Sequence, residues 1–112
     1  MEAAVLEALF GNPNVERVLF FLLRQGEGYP SVIARNFGQA LSVMQKQLAR
    51  LEAGGIVVSR MVGRTRVYQI NPRYPFKREL EAFLERAFAA VPPEDVRKFF
   101  TRRSRPRKPG KR

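Results

Sequence analysis

The side chains of this sequence that could do chemistry are mainly cations and amides, because the chain contains neither Cys nor His. Without thiols and imidazoles it lacks the commonest nucleophiles, general bases and nitrogen or sulfur metal ligands. We therefore expect no enzyme activity, no metal site and no cofactor. What the chain has in excess is positive charge: 21 Lys and Arg against 10 Asp and Glu give a formal net charge of +11 over 112 residues. Such a balance favours a polyanionic partner, above all nucleic acid.

Much of this charge lies in the last twelve residues, 101–112. They contain seven Lys and Arg and no acid, and two prolines and a glycine interrupt the run. Because the stretch has no apolar side chain to bury, it predicts a disordered tail that follows a single domain over residues 1–100. The tail is either a solubilising end or a non-specific contact for nucleic acid. The charges concerned are Arg102, Arg103, Arg105, Arg107, Lys108, Lys111 and Arg112.

Helices are the elements that must position most of the other polar side chains. Apolar spacing predicts a short helix over residues 2–10, and Asn12-Pro13 opens a second helix with a capping side chain and a proline in its first turn. A short helix from Val32 to Asn36 or Phe37, ended by Gly38, precedes a longer one from about Leu41 to Ala53. Two helices joined by a tight turn, the second longer and polar on its outer side, are the layout of a helix-turn-helix.

Two β-branched runs, Ile56–Val62 and Thr65–Ile70, follow the longer helix. Only Gly63-Arg64 separates them, which predicts a hairpin with a two-residue turn that pairs Val62 with Thr65. This register predicts one inward face, made up of Val57, Met61, Tyr68 and Ile70. Three arginines lie toward the far end of the same ribbon, namely Arg60, Arg64 and Arg66.

Three runs of this sequence, Tyr29–Ala34, Leu41–Ile56 and Gly63–Pro72, stand in a characteristic order. Their most specific piece is the pattern Leu48-x-x-Leu51-Glu52-x-x-Gly55-Ile56, which leads directly into the hairpin. Over roughly residues 5–90 the chain thereby resembles the ArsR/MarR-type winged helix-turn-helix transcription regulators. The resemblance implies a mainly α fold with a small β-hairpin and terminal dimerisation helices. It also implies a homodimeric regulator that binds double-stranded DNA sequence-specifically, with helix 41–53 in the major groove and the hairpin, or wing, on the backbone or in the minor groove.

The side chains of helix 41–53 divide into an inner and an outer set. Helical spacing turns Leu41, Met44, Leu48 and Leu51 to the core. The outer set could read bases, because glutamine can pair with adenine, lysine and arginine with guanine, and valine can touch a thymine methyl group. An ordinary solvated helix face is the alternative. The candidate base-reading residues are Ser42, Val43, Lys46 and Arg50 on the outer side, with Gln45 and Gln47 on its flanks.

Further candidate DNA contacts flank that helix. In the wing they are Arg60, Arg64, Thr65 and Arg66, for which the resemblance implies contact with the backbone or minor groove. Exposed arginines on a hairpin also prevent edge-to-edge aggregation, which is the alternative reading. Tyr29 and Ser31, at the start of the first motif helix, are candidate phosphate contacts, and Ser31 is also a candidate helix cap.

A helix predicted from about Phe76 to Ala90 has a strong apolar stripe, and a short amphipathic helix follows Pro92-Pro93. The stripe either covers the core of one chain or, together with the first helix, pairs with a second copy. We expect a homodimer, because a domain of this size has difficulty covering so much apolar surface alone. The candidate interface residues are Val5, Leu6, Leu9, Phe10, Phe76, Leu80, Phe83, Leu84, Ala87 and Phe88.

Other features limit the functional reading. No apolar run reaches the roughly 18 residues that span a bilayer, and the start Met1–Ala4 lacks a basic signal-peptide region, so we expect no membrane partner and a cytoplasmic location. Because Cys and His are absent, a metal or redox trigger is not expected, and whether a small-molecule effector exists is unknown. The rival to a DNA-binding regulator is a winged-helix module that binds protein or structured RNA.

Overall fold

A computed structural model describes residues 5–101 of the chain. Its elements confirm the predicted mainly helical fold with one small hairpin. None of the helices within residues 5–101 is long and apolar enough to cross a membrane. Residues 2–4 of the predicted first helix and residues 102–112 of the predicted tail lie outside the described part. The elements are α1 Glu7–Phe10, α2 Pro13–Gln25, α3 Pro30–Phe37, α4 Leu41–Ala53, β1 Val57–Val62, β2 Thr65–Ile70, α5 Lys77–Phe88, and α6 Pro93–Asp95, which continues as a π-helical segment, Val96–Phe100.

Helix α2 is the centre of the core, as its apolar pattern predicts. It starts where expected, because the side-chain oxygen of Asn12 accepts a hydrogen bond from the backbone N–H of Asn14 at 2.7 Å. Its residue Phe20 is fully buried and forms T-shaped ring contacts with Phe88 and Phe100, with centroid distances of 5.4 Å and 6.0 Å. The C-terminal helices therefore close over α2 and complete the hydrophobic core.

Helices α3 and α4 form the helix-turn-helix. Helix α3 begins two residues earlier than predicted, since Pro30 has the fixed φ that suits a first helical position. It ends at Gly38, whose φ of +65° is the left-handed value that glycine adopts without strain. Helix α4 has the predicted bounds, and Met44 and Leu48 are fully buried. Helix α4 thus presents one side to the core and the other to solvent.

The wing, residues 57–70, is the two-stranded antiparallel hairpin β1–β2. Its register is the predicted one, with Val57 opposite Ile70 and Val62 opposite Thr65. Gly63 has a φ of +63°, the conformation that a tight hairpin turn requires at this position. The turn chemistry was therefore sufficient to predict which residues face each other.

Gly28 adds a short third partner to the wing. Its backbone exchanges two hydrogen bonds of 2.9 Å with Tyr68, so the loop before α3 is joined to β2. A side chain at this position is excluded, because a Cβ atom on Gly28 would lie 2.7 Å from the ring of Phe21. This contact fixes the wing against the start of the helix-turn-helix.

The N-terminal segment is attached to the core by a buried carboxylate. Glu16 in α2 is fully buried, and its two oxygens accept hydrogen bonds from the backbone N–H groups of Val5, at 3.0 Å, and Leu6, at 2.9 Å. Burial raises the pKa of Glu16, while these two donors and the nearby charge of Arg17 offset part of that rise. Glu16 therefore ties α1 to α2 through an interaction that no spacing pattern indicates.

Candidate nucleic-acid interface

The outer side of α4 is the first part of the candidate interface. It is exposed over its whole length, and it has no acid before Glu52. Val43 is half-buried at one edge. Within residues 5–101, Lys46 makes no side-chain hydrogen bond or ion pair that would occupy its charge. The exposed residues on this side are Ser42, Gln45, Lys46, Ala49 and Arg50.

Gln47 does not belong to this outer surface. Its exposed fraction is only 4%, and its side-chain oxygen accepts a hydrogen bond from Arg50 at 3.0 Å. The structure contradicts the prediction of Gln47 as a DNA contact on the flank of α4, because its side chain lies on the buried side of the helix, one turn from both Met44 and Leu51. Its role in the structure is to hold the guanidinium of Arg50.

An open cleft of about 530 Å³ separates α4 from the wing. Its walls combine polar and apolar side chains from three elements, and no acid lines it. The residues that line it are Pro30, Ser31, Leu41, Gln45, Ala49, Met61, Arg64, Thr65, Arg66 and Tyr68. The cleft thus brings together many of the residues that sequence reasoning assigned separately to α3, α4 and the wing.

Leu41 and Met61 are cleft residues that the sequence analysis assigned to the core. Leu41 is 43% exposed and Met61 is 52% exposed, so both of those predictions are wrong. Leu41 lies in the first turn of α4, and Met61 lies near the tip of the wing opposite Arg66. Periodicity gave the correct side of the wing for Met61, but that side extends beyond the edge of the core at the tip. Leu41 lies instead at the border between the inner and outer sides of α4, in line with the exposed residues Gln45 and Ala49. The proximity of Leu41 to the start of its helix and of Met61 to the hairpin turn was the available signal.

The start of α3 lies beside this cleft. Tyr29 is the N-cap residue of α3, and its backbone carbonyl accepts a hydrogen bond from the N–H of Ile33 at 3.0 Å. Ser31 is the second residue of the helix, not its cap, so the alternative role as helix cap is wrong. Its exposed hydroxyl faces the cleft, whereas Tyr29 is half-buried.

The wing arginines occupy different surroundings. Arg60 is on the face turned away from the cleft, where it forms an ion pair of 2.9 Å with Glu27 and a longer contact of 3.4 Å with the amide oxygen of Gln69. Its direct neighbour across the hairpin, Val67, is only 1% exposed although it shares that outer face. Arg60, a predicted DNA contact, is therefore already paired with an acid 33 residues away in sequence.

Arg64 and Arg66 remain on the cleft side. Within residues 5–101, neither forms an ion pair. The guanidinium of Arg66 donates a hydrogen bond of 2.9 Å to the hydroxyl of Ser59, which donates in turn to Glu52 at 2.7 Å. These two hydrogen bonds connect Arg66 to Glu52 at the end of α4, and the Arg66 residue remains exposed. Sequence reasoning missed Ser59 and Glu52, because only the folded hairpin brings them together.

Arg50 lies on the flank of α4 that faces away from the wing. There it lines a second cavity, of about 320 Å³, where α4 meets α1, α2 and α5. The cavity is otherwise lined by apolar residues and one tyrosine, namely Phe10, Val15, Leu19, Leu51, Ile56, Tyr74 and Leu80. Arg50 is thus separated from the cleft that gathers the other candidate contacts.

The predicted dimer residues fall into two groups. Leu84 is fully buried in the core of the single chain, which contradicts its assignment to an interface, and Phe88 packs on Phe20 and Phe100. Ala87, Leu6, Phe10 and Leu80 are half-buried beside them. The remaining residues, Val5, Leu9, Phe76 and Phe83, are exposed. One side of the apolar stripe therefore covers the core of the single chain. The other side is open to solvent and remains available for pairing with a second copy.

Comparison with known proteins identifies the architecture. No protein-family model matches this chain, and neither does any curated protein sequence. A solved structure of a double mutant of ZitR from Lactococcus lactis, in apo form, matches with a TM-score of 0.52 at 15% identity. The match covers 84% of this chain and 74% of that chain. At this identity it shows the fold, a winged helix-turn-helix as predicted, while the finer assignment to the ArsR/MarR type stays a prediction.

Proposed function

We propose that this protein is a transcriptional regulator that binds double-stranded DNA sequence-specifically as a homodimer. Helix α4 enters the major groove, and the wing contacts the backbone or the minor groove. The observation that carries this proposal is the cleft between α4 and the wing, which Arg64 and Arg66 line and no acid does. Within residues 5–101, neither of these arginines nor Lys46 on the exposed side of α4 forms an ion pair. The winged helix-turn-helix fold supports the same reading.

The polar residues on this side divide between two kinds of contact. Ser42, Gln45 and Lys46 lie on the exposed side of α4 near its start, which is the part of a recognition helix that reaches base edges. There Gln45 can pair with adenine and Lys46 with guanine. Arg64 and Arg66 suit phosphate oxygens, and such contacts set the position of the protein without reading sequence. Ser31 and Thr65 complete the rim of the cleft with hydroxyl donors.

Exposed apolar residues support the homodimer. Leu9 in α1, Phe76 at the start of α5 and Phe83 within α5 are large apolar side chains open to solvent. A second copy related by a two-fold axis would cover them with the same surface. Two recognition helices in such a dimer would meet half-sites spaced about 34 Å apart, one turn of the duplex.

The basic tail adds sequence-blind attraction in this proposal. Its attachment point is defined, because Phe99 stacks on Phe37 at 5.4 Å and its carbonyl accepts a hydrogen bond from Asn36 at 3.0 Å. The tail therefore starts beside the end of α3. A chain of twelve residues spans at most about 43 Å when extended, so its charges can reach phosphates next to those that α4 and the wing would contact.

Selection of bound sequences from a random duplex pool tests the proposed function. The full chain should enrich one sequence class, and that duplex should bind about a thousandfold or more tightly than random duplex at the same salt concentration. Binding that depends strongly on salt but shows no sequence preference would contradict the proposal. It would favour the rival, a winged-helix module for protein or structured RNA.

A further inference from the structure

We propose that Leu41 is a specificity-determining residue, which selects thymine by contact with its 5-methyl group. The inference rests on the proposed function and deepens it. Leu41 is the first residue of α4, it is 43% exposed, and it lines the cleft that faces the wing. An apolar side chain at the leading end of a recognition helix meets base edges, and the only apolar group on the major-groove edge is the thymine methyl.

Leu41 differs in burial from the other large apolar residues of α4. Met44 and Leu48 are fully buried, so the core of the helix-turn-helix is already filled without Leu41. Leu41, Gln45 and Ala49 instead form one row, spaced by one helical turn, along the wall of the cleft. This row presents apolar, amide and small apolar groups in sequence.

The wing contributes a further apolar side chain to the cleft, opposite the row on α4. Met61 faces the row on α4 from the wing, and it is 52% exposed. Arg64 and Arg66 lie at the rim, and no Asp or Glu lines the cleft. A duplex matches this pattern, because it offers phosphates to Arg64 and Arg66 and, at A·T pairs, thymine methyl groups to an apolar side chain at the start of α4.

Gln45 predicts which kind of base pair is read next to Leu41. Side chains four residues apart on a helix lie about 5–6 Å from each other. A glutamine amide can pair with the N6 and N7 groups of adenine, whereas Leu41 suits the methyl group of thymine. The two side chains together select an A·T pair, or two adjacent ones, under the start of α4.

The test replaces thymines by uracil, one at a time, in the duplex obtained by selection. Uracil keeps the base pairing and removes only the methyl group. With the full wild-type chain, uracil at one thymine in each half-site should weaken binding about fourfold per site, which corresponds to about 0.8 kcal/mol for one buried methyl group. Leu41→Ala should weaken binding to the thymine duplex by a similar factor and should bind the thymine and uracil duplexes equally.

Val32→Ala is the matched control, since Val32 is an apolar residue of similar exposure on α3 and does not line the cleft. This variant should keep the full response to uracil. Circular dichroism checks that each variant is folded, and Leu41→Gln provides a second substitution that removes the apolar contact. The inference is overturned if no thymine position responds to uracil, or if the Leu41 variants respond like the wild type. If the selection yields no preferred duplex, the proposed function itself fails.

Discussion

Helix α5 and the wing each place two similar side chains close together in the sequence and give them different surroundings. On α5, Leu84 is fully buried in the core, whereas its neighbour Phe83 is 42% exposed. On the wing, Arg60 is paired with Glu27, whereas Arg64 at the turn has no ion-pair partner within residues 5–101. The comparison teaches that residue type identifies candidates for an interface, and that the fold then decides which candidates are still available to a partner.

The α5 comparison predicts the largest effect. Leu84→Ala should lower the free energy of unfolding by about 3 kcal/mol, because it leaves a cavity in the core. Phe83→Ala should change that free energy by less than about 1 kcal/mol at protein concentrations where the chain is monomeric. It should instead raise the dissociation constant of the dimer, measured by sedimentation. Equal losses of stability in the two variants would show that Phe83 is also a core residue.

The comparison between cations predicts the next largest effect, on DNA affinity. Lys46→Ala/Arg64→Ala removes two unpaired charges and should weaken binding to the selected duplex about a hundredfold, at 1–3 kcal/mol for each lost contact. Arg50→Ala/Arg60→Ala removes the same number of charges from side chains that Gln47 and Glu27 already hold, and we expect a loss of less than about tenfold. Since both variants change the net charge equally, similar losses would indicate that only total charge matters.

The sequence predicted those parts of the fold that local chemistry determines. The cap at Asn12, the glycine at the end of α3 and the hairpin turn at Gly63 each impose a backbone conformation, so the elements near them were predicted well. The hairpin register followed from the turn alone. Periodicity also identified α2 as the centre of the core.

What the sequence could not predict depends on distances between elements. Periodicity gives the side of a helix or strand that faces inward, but it does not give the place where the core ends, so Leu41 and Met61 were assigned to the core. The contact of Arg60 with Glu27 links residues 33 positions apart, and that of Arg66 with Ser59 depends on the folded hairpin. For the same reason the charge pattern could not separate the neutralised arginine from the two available ones.

The tail, residues 101–112, extends the comparison to charges for which the sequence predicts no fixed position. A chain that ends at Thr101 should lose about tenfold in affinity for any duplex, because sequence-blind phosphate contacts disappear. The ratio of affinities for selected and random duplexes should stay the same. The plot of log K against log salt should become shallower, by about 0.9 for each phosphate contact that is lost.

A matched tail of glycine and serine separates charge from length in that experiment. It should behave like the shortened chain, since it has no cation. If the slope is unchanged in both variants, the tail makes no contact with DNA. If the ratio of affinities for selected and random duplexes falls instead, the tail contributes to base reading. The proposal that the tail makes only sequence-blind contacts is then wrong.

The smallest expected effect comes from Glu16. In this case the side chain that the fold already engages is an acid and not a cation. Its raised pKa means that the folded chain binds more protons than the unfolded chain between the ordinary pKa of glutamate and the raised value. The contribution of Glu16 to stability is therefore fully present below the ordinary value and is lost as the pH rises through the raised one. Urea unfolding of the wild type and of Glu16→Gln, compared between about pH 4 and pH 7, measures this difference. The wild type should gain stability relative to the variant as the pH falls, and a difference that does not depend on pH would show that the two backbone donors fully compensate the burial of the carboxylate.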